Sequence, residues 1–262
     1  MQSEPPPVSN RLLYIYRVCG KALSYVLFGL GTFFFGAAIF PVMRLFLHPK
    51  NRFQRYARPV LSAIMRVFVF ILRGAGLLEM DVDDPAAYRR FSSKIVAPNH
   101  PSLLDVALLF SLIPNADCIV RGNLRRNIVY GVISQLYITT SLDPRELARA
   151  CVASLNQGNC LIIFPEGTRT PRSGELTLKR GVARIALLSG CGVIPVHIGG
   201  TDKYGLGKHD PLFSYNPREK YVYRFRMQPE ISPAKYAGIE NPLAARRLTA
   251  ELKEILFHPV NT

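Results

Sequence analysis

A histidine and an aspartate, His100 and Asp105, lie close together in residues 99–105, whose sequence is Asn-His-Pro-Ser-Leu-Leu-Asp. An imidazole can take a proton from a hydroxyl group near neutral pH, but it needs a partner that fixes its tautomer and stabilises the imidazolium. If a helix begins after Pro101, Asp105 lies in its second turn and reaches His100 once the preceding loop folds back. Such a pair needs no covalent intermediate, because the alcohol of the substrate is itself the nucleophile.

The same spacing also has a purely structural explanation. A loop histidine beside an aspartate at a helix N-terminus is common, because the helix dipole stabilises the acid there. Ser102 lies too near His100 in sequence for a catalytic triad, and its hydroxyl is better suited to a helix cap or to a donor that supports the pair. A second polar segment favours the catalytic interpretation.

An apolar strand at residues 160–164 leads directly into this second polar segment. Ligand sites in α/β sheets gather at the carboxyl ends of strands. Gly167 lets the backbone approach a ligand closely, Thr168 adds a hydroxyl donor, and Arg169 offers a planar fork that suits a phosphate. Glu166 can hold Arg169 or a substrate hydroxyl. The alternative is a capped turn with an exposed Glu-Arg pair of little energetic value. The basic residues that follow are Arg172, Lys179 and Arg180.

The chain of 262 residues carries a formal net charge of +15, which suits anionic partners such as nucleic acid, an anionic membrane or a phosphorylated substrate. Ala22–Met43 has no charged residue, and its 22 positions are enough to cross a bilayer core as a helix. Glycines and Pro41 lie within it, so a kinked or re-entrant path is also open. Met43–Leu78 holds seven basic residues and no acidic one, which predicts that this side faces the cytoplasm.

The apolar segment Val60–Leu72 carries Arg66, and Arg73 follows seven residues later, so a helix places both on one face. We expect a helix at the membrane surface with its basic groups toward lipid phosphates, and the alternative is a core helix whose arginines reach outward. A cleaved signal peptide fits poorly, because the apolar run exceeds the roughly 7–15 residues of such a core. The five cysteines have no Cys-x-x-Cys spacing, so we expect reduced thiols and neither a zinc site nor a disulfide framework.

Farther along the chain, apolar patterns alternate between strand and helix. They predict an α/β fold with a mixed sheet flanked by helices, together with an N-terminal membrane-associated helical element. The predicted strands are Ile95–Ala97, Cys118–Arg121, Leu136–Thr140, Cys160–Phe164, Val193–Ile198 and Tyr221–Met227. The predicted helices are Ser102–Ile113, Leu124–Ser134, Pro144–Asn156, Leu178–Leu188 and Asn241–Phe257. Residues 199–218 form a long irregular stretch, and loops of that length are often functional.

Residues 99–105 and residues 164–170 (Phe-Pro-Glu-Gly-Thr-Arg-Thr) resemble the first and third motifs of the glycerolipid acyltransferases, the 1-acylglycerol-3-phosphate acyltransferase family. Residues 193–198 (Val-Ile-Pro-Val-His-Ile) resemble the fourth motif, a hydrophobic strand that holds a proline. The resemblance extends over residues 85–230. Two motifs of this specificity in the correct order favour catalysis over the structural alternatives for both segments.

The resemblance implies a membrane-bound enzyme that moves a fatty acyl chain from acyl-CoA or acyl carrier protein to the free hydroxyl of a lysophospholipid. The acceptor implied most directly is 1-acylglycerol 3-phosphate, which gives phosphatidic acid. His100 is then the general base, and Asp105 orients it. The residues implied to bind the acceptor phosphate are Glu166, Gly167, Thr168 and Arg169. No metal or cofactor is implied beyond the acyl thioester cosubstrate, and the expected partners are membrane lipids, the lysophospholipid acceptor and the acyl donor.

The resemblance also implies a two-helix membrane element in the N-terminal part of the chain. Residues 1–21 are then a mobile basic lead, residues 22–79 the membrane-associated two-helix element, and residues 80–262 the α/β acyltransferase domain. Together with the basic excess after the apolar run, this division predicts a location at the cytoplasmic face of the inner (cell) membrane.

The second motif of the family is matched less well. Residues 135–145 stand in its place, and no arginine occupies the expected strand end. Arg121 and Arg145 are the candidates to replace that arginine. A glycerol 3-phosphate backbone stays the favoured acceptor, and another lyso-lipid, such as an aminolipid or a polyene lipid, is the alternative.

Non-enzymatic classes compete with these expectations. Residues 221–226 interleave basic and aromatic side chains, as a basic nucleic-acid-binding protein does. An alternating strand explains them equally well, and no zinc, helix-turn-helix or ribonucleoprotein motif accompanies them, so we expect no nucleic-acid partner. A non-catalytic membrane scaffold is the other alternative. His197 lies on an apolar strand and is expected to be a core histidine rather than a ligand.

Overall fold

The computed structural model describes residues 8, 10–120, 137–139, 143–171 and 177–257. The strands within these residues are β1 (Leu78–Val82), β2 (Ile95–Pro98), β3 (Ala116–Val120), β4 (Tyr137–Thr139), β5 (Cys160–Ile162), β6 (Val193–Gly200) and β7 (Tyr221–Met227). The helices are α1 (Arg11–Phe34), α2 (Phe40–Phe46), α3 (Lys50–Gly74), α4 (Pro85–Arg90), α5 (Asp105–Leu112), α6 (Pro144–Asn156), α7 (Gly181–Ser189) and α8 (Asn241–Phe257). A π-helical turn, Phe35–Ile39, joins α1 to α2, and a 3-10 turn, Pro233–Tyr236, precedes α8.

These strands form one mixed sheet in the order β1-β7-β6-β2-β5-β3-β4. The run from β6 to β4 is parallel, whereas β7 pairs antiparallel with β6 and parallel with β1. Every residue of β2 is buried, as expected for a parallel strand covered on both faces. The predicted fold class, an α/β fold with a mixed sheet flanked by helices, is confirmed.

Two apolar clusters cover the opposite faces of the sheet. Val96 belongs to the cluster that also contains the buried residues of α3 and α5. Its neighbours Ile95 and Ala97 belong to the second cluster, which contains the buried residues of α6, α7 and α8. Because successive side chains of a strand point to opposite faces, this division gives a helix-sheet-helix sandwich with β2 at its centre.

The N-terminal helix begins well before the uncharged run. The Asn10 side chain accepts a hydrogen bond of 3.0 Å from the backbone N–H of Leu13, so α1 begins at Arg11 and residues 11–21 of the predicted lead are helical. The helical stretch Arg11–Phe46 is 36 residues long, and its most apolar window has a mean hydropathy of 2.0. By length and composition alone it is able to cross a membrane, and only 11% of that window is buried against the rest of the chain.

A buried ion pair fastens α3 to the sheet. Arg58 donates two hydrogen bonds to the Asp117 carboxylate at the start of β3, at 2.7 and 2.9 Å, and each side chain is 5% exposed. The Ser154 hydroxyl of α6 donates to the same carboxylate, so the ion pair lies between two helices and a strand. On the outer face of α3, Arg66 and Arg73 are both exposed, as their spacing predicts.

Several predicted elements have the expected bounds. α6, β7 and α8 begin and end where the sequence places them, and the Asp143 side chain caps α6 by accepting from the N–H groups of Arg145 and Glu146. β1 and α4 have no counterpart among the predictions. The predicted helix at residues 124–134, and residues 1–7 and 9 of the predicted mobile lead, lie outside the described residues.

The predicted starts of two helices are wrong. α5 begins at Asp105 rather than at Ser102, because the Ser102 hydroxyl bonds the Asp105 side chain instead of capping the helix. α7 begins at Gly181 rather than at Leu178 and ends, as predicted, at Gly190, which has a φ of 70°. In the first case Ser102 takes the other role considered for it, that of a donor to Asp105, and its contact with Tyr223 is the part that the local sequence pattern does not reveal.

Candidate active site

Adjacent parallel strands bring the two polar segments together. β2 pairs with β5, so the residues that follow both strands emerge at the same edge of the sheet. The backbone N–H of His100 donates to Glu166 Oε1 at 3.1 Å and to Thr170 Oγ1 at 3.0 Å. The backbone N–H of Thr170 donates in return to the His100 carbonyl oxygen at 2.7 Å. The site residues that the sequence predicts in its two motifs therefore lie together at one edge of the sheet.

The His100 and Asp105 side chains are in direct contact. His100 Nδ1 lies 2.8 Å from Asp105 Oδ2, and the side chains are 16% and 0% exposed. A carboxylate only accepts hydrogen bonds, so in the neutral imidazole the proton sits on Nδ1 and the lone pair is on Nε2. The ring stacks on Phe164 with centroids 4.0 Å apart and planes inclined by 27°, which fixes its orientation. This arrangement suits a general base.

Asp105 is held by further donors from its own turn. The Ser102 N–H donates to Asp105 Oδ2 at 2.8 Å, and the Ser102 hydroxyl donates to Oδ1 at 2.5 Å. With His100 on Oδ2 as well, both carboxylate oxygens are engaged at the first turn of α5, where the helix dipole also favours a negative charge. The position of Asp105 is therefore over-determined, as expected for a residue that orients a base.

Glu166 joins the two motifs rather than pairing with Arg169. Its Oε1 accepts from the His100 N–H and, at 2.7 Å, from the Thr170 hydroxyl. Its Oε2 is buried without a hydrogen-bond partner among the described residues. Burial raises the pKa of this carboxyl above its ordinary value, because the ionised form loses water. The Glu-Arg surface pair considered from the sequence is not formed between these two residues, and Oε2 is left as an acceptor inside the site.

Arg169 is anchored by the long loop that follows β6. Its Nη1 donates to the carbonyl oxygens of Leu206 and Gly207, at 3.0 and 2.7 Å. The N–H of Leu103 also donates to the Leu206 carbonyl, at 3.0 Å. The same loop thus contacts both motifs.

Gly167 adopts a φ of 65°, a left-handed conformation that a glycine takes without a steric penalty. A Cβ there would lie 2.8 Å from Lys179 Nζ, so the Lys179 side chain passes directly over this turn. Thr168 is half-buried beside it. Arg145 is exposed in the first turn of α6, whereas Arg121 and Arg172 lie outside the described residues.

Sequence reasoning did not identify Asn99 as a bridge between strands. Its side chain donates to the Ile198 carbonyl at 3.0 Å and accepts from the Ile198 N–H at 2.6 Å. These bonds continue the pairing of β2 with β6 just before His100. The signal available was a polar residue that ends a buried strand, which is where a side chain has to satisfy the backbone of its neighbour.

Lys203 and Tyr223 were also missed. The Lys203 ammonium is buried, donates to the backbone carbonyls of Gly199, Thr201 and Val222, and lies 4.6 Å above the Tyr223 ring. Burial lowers the pKa of Lys203 to about 8. The alternation in β7 predicts a buried Tyr223, but it does not predict which neighbours the tyrosine meets. His197 is a satisfied core histidine, as expected, with Nδ1 3.0 Å from the carbonyl oxygen of Leu256 in α8.

Comparison with known proteins agrees with this geometry. Residues 80–199 match the sequence model of the Acyltransferase family. A 1-acyl-sn-glycerol-3-phosphate acyltransferase from Helicobacter pylori strain J99 is 29% identical over 242 residues, which cover 88% of this chain and 91% of that protein. A protein of the same name from Cocos nucifera is 33% identical over 116 residues, or 39% of this chain. That match spans only 36% of the length of the coconut protein.

The fold is also that of a solved structure. The crystal structure of the 1-acyl-sn-glycerophosphate (LPA) acyltransferase PlsC from Thermotoga maritima superposes with a TM-score of 0.69. The alignment covers 95% of this chain and 99% of that one, at 18% sequence identity. The matched domain, the nearly full-length bacterial relative and the shared fold show that this chain resembles the 1-acyl-sn-glycerol-3-phosphate acyltransferases.

Proposed function

We propose that this protein transfers a fatty acyl chain from the thioester of coenzyme A or acyl carrier protein to the free hydroxyl of a lysophospholipid. The acceptor proposed first is 1-acylglycerol 3-phosphate, with phosphatidic acid as the product. The observation that carries the proposal is the contact of 2.8 Å between His100 Nδ1 and Asp105 Oδ2, which directs the imidazole lone pair to Nε2. The names of the relatives support this choice of acceptor.

The reaction needs a single base. His100 Nε2 takes the hydroxyl proton of the acceptor while the oxygen attacks the thioester carbonyl carbon. Asp105 stabilises the imidazolium that forms. When the tetrahedral intermediate collapses, the carbon–sulfur bond breaks and the thiolate leaves, taking the proton from the imidazolium. The new bond is an ester between acceptor and acyl chain, and His100 returns to its neutral state.

Arg169 and Glu166 are proposed to hold the acceptor. Because Nη1 of Arg169 is bonded to the loop carbonyls, its Nη2 and Nε are the donors assigned to the phosphate. The buried Oε2 of Glu166 is assigned to accept a hydrogen bond from a hydroxyl of the glycerol backbone. This bond would satisfy an oxygen that has no hydrogen-bond partner among the described residues. Gly167 and Thr168 are assigned to close backbone approach and to a hydroxyl donor.

We also propose that the enzyme works at the cytoplasmic face of the inner (cell) membrane. The apolar stretch Arg11–Phe46 is weak support for membrane association, since helices of other kinds pass the same test of length and composition. The basic excess in residues 43–78 supports the orientation. The proposed division is residues 1–21 as lead, 22–79 as membrane element and 80–262 as catalytic domain.

The test is an assay of the purified chain in detergent micelles. Acyl-CoA and acyl carrier protein are supplied as donors, with lysophosphatidic acid, a lyso-aminolipid and monoacylglycerol as acceptors. We expect the wild-type protein to transfer the acyl chain to lysophosphatidic acid and the His100→Ala variant to lose this activity. The control is His48→Ala, which replaces an exposed histidine and should keep the activity. Preference for the lyso-aminolipid would change the acceptor. Normal turnover by His100→Ala would refute the base assignment.

A further inference from the structure

We propose that Tyr223 is a positioning residue for Asp105, acting through the Ser102 hydroxyl, so that a strand far from both motifs in sequence sets the orientation of the base. This inference rests on the proposed function, since the base it orients is His100. Tyr223 lies in β7, more than a hundred residues beyond the first motif.

A continuous chain of hydrogen bonds joins the tyrosine to the imidazole. Tyr223 Oη lies 2.9 Å from Ser102 Oγ, and Ser102 Oγ lies 2.5 Å from Asp105 Oδ1. The opposite carboxylate oxygen, Oδ2, lies 2.8 Å from His100 Nδ1. Each member except His100 is buried, with Tyr223, Ser102 and Asp105 all at 0% exposure. Water therefore does not replace the missing partner when one link is removed.

Chemistry fixes the direction of every proton in this chain. An ionised carboxylate has no proton to give, so Ser102 must donate to Asp105. The single hydroxyl proton of Ser102 is then used, and Tyr223 must be the donor in its contact with Ser102. Burial raises the pKa of Tyr223 well above its ordinary value, so the phenol stays protonated and stays a donor. The hydroxyl of Ser102 also accepts from the Leu104 N–H at 3.2 Å, which fixes its rotamer.

The phenol is itself held in place from two sides. β7 pairs with β6 and with β1, and Tyr223 is opposite Gly200 in the register with β6. The Lys203 ammonium lies 4.6 Å over the ring and donates to backbone on both β6 and β7. The ring thus has little freedom to turn away from Ser102. A rigid donor at the end of the chain gives Asp105 one orientation rather than several.

Two consequences distinguish a positioning residue from one that only fills the core. Removing the phenol hydroxyl should lower kcat, because the base is less well aligned, and should leave the KM values of acceptor and donor unchanged, because Tyr223 touches neither. Its effect should also depend on Ser102, because within the described residues the hydrogen-bonded route from Tyr223 to Asp105 runs through Ser102. If Tyr223 only packed in the core, its replacement would lower Tm, and its effect on kcat would not depend on whether Ser102 is present.

The experiment uses the full chain in detergent with the variants Tyr223→Phe, Ser102→Ala and the double variant. We expect Tyr223→Phe to lower kcat roughly three- to tenfold, the value of one net hydrogen bond. Ser102→Ala should lower kcat at least as much, and the double variant should be no slower than Ser102→Ala alone. The matched control is Tyr215→Phe, which removes another fully buried hydroxyl that donates to the Leu77 carbonyl.

Three outcomes would overturn the proposal: an unchanged kcat in Tyr223→Phe, an equal fall in Tyr215→Phe, or losses that multiply in the double variant. If Tyr223→Phe does not fold, Ser102→Ala tests the same link from its other end, and an unchanged kcat there overturns it. A readout independent of the acceptor is the NMR signal of the His100 Nδ1 proton. We expect the resonance of this proton to shift in Tyr223→Phe and not in Tyr215→Phe. This expectation holds even if the proposed acyl acceptor is wrong. An unchanged resonance in Tyr223→Phe would refute the positioning role.

Discussion

The Lys21 ammonium of α1 donates a hydrogen bond of 3.0 Å to the carbonyl oxygen of Gly205 in the loop that follows β6. Lys21 is only 4% exposed, so this bond is buried. The next two carbonyls of the same loop, those of Leu206 and Gly207, are the ones that accept from Arg169. Three consecutive carbonyl groups therefore connect the apolar N-terminal helix to the guanidinium proposed to bind the acceptor.

Replacing Lys21 by Met should weaken acceptor binding more than turnover. Met preserves most of the apolar contact of the lysine stem but removes the bond to Gly205, so the carbonyls that fix Arg169 become less well ordered. We expect the acceptor KM to rise about fivefold, the equivalent of one net hydrogen bond, with kcat little changed. Steady-state kinetics in mixed micelles measure both. The control is Lys50→Met, whose lysine is exposed at the start of α3. An acceptor KM equal to that of wild type would show that α1 and the site are uncoupled.

Replacing Arg169 by Ala should remove the preference for a phosphorylated acceptor. We expect kcat/KM for lysophosphatidic acid to fall roughly 10- to 100-fold, since the bond lost is to a charged group. For monoacylglycerol, which lacks the phosphate, the fall should be small. The ratio of the two values separates phosphate binding from support of the loop, because loss of the loop anchor slows both acceptors equally. Arg184→Ala, at an exposed position of α7, serves as control. Arg169→Lys should recover only part of the loss, because an ammonium cannot bridge the loop carbonyls and a phosphate as a planar fork does.

Local sequence predicts the site residues that lie at the ends of neighbouring parallel strands. His100 and Asp105 are five residues apart, and Glu166 follows a buried strand, so a rule about strand ends is enough to place them together. The same rule places the Gly167 turn. These residues share a short stretch of chain or a common sheet edge, and both are visible as patterns.

The rest of the site depends on strand order, which the patterns do not contain. Tyr223 reaches Ser102 because β7 lies between β6 and β1, antiparallel to β6 and parallel to β1. β1 itself was missed because it is an edge strand whose Glu79 and Asp81 are exposed, so its apolar signal is weak. The sequence allows Ser102 to be a cap or a donor that supports the pair, and the structure shows the second role, with Tyr223 as a partner that the local pattern does not predict.

Breaking the buried ion pair between Arg58 and Asp117 should destabilise the fold strongly. Among the described residues, Arg58→Met leaves the buried Asp117 carboxylate with the Ser154 hydroxyl as its one side-chain donor, and we expect a loss of about 3–5 kcal/mol. That corresponds to a fall in Tm of roughly 10 °C by scanning calorimetry in detergent. The control is Lys94→Met, which breaks the pair with Glu230, whose side chains are 32% and 37% exposed, and should cost less than about 1 kcal/mol. Equal Tm shifts in the two variants would mean that Arg58 does not fasten α3 to the sheet.

The buried carboxyl of Glu166 should make the protein less stable as the pH rises. Because burial raises its pKa in the folded state, its contribution to stability is fully present below the ordinary value for a glutamate and is lost as the pH rises through the folded-state value. At a pH above that folded-state value the fold carries a desolvated charge. Glu166→Gln removes that charge and keeps an oxygen for the His100 N–H and the Thr170 hydroxyl. We expect its Tm to exceed that of wild type by about 2–4 °C near pH 7, with the difference shrinking toward zero near pH 4.

Differential scanning fluorimetry across this pH range checks the expectation. Glu254→Gln, which changes an exposed carboxyl of α8, is the matched control and should give an offset that does not change between the two ends of the range. A Glu166→Gln curve parallel to wild type would show that the Glu166 carboxyl is not strained by its burial. A Glu166→Gln variant that is less stable than wild type near pH 7 would mean that the fold stabilises the ionised Glu166 carboxylate. Both of its oxygens would then already be satisfied by the protein. The proposed hydrogen bond from a glycerol hydroxyl to Oε2 would lose its physical basis.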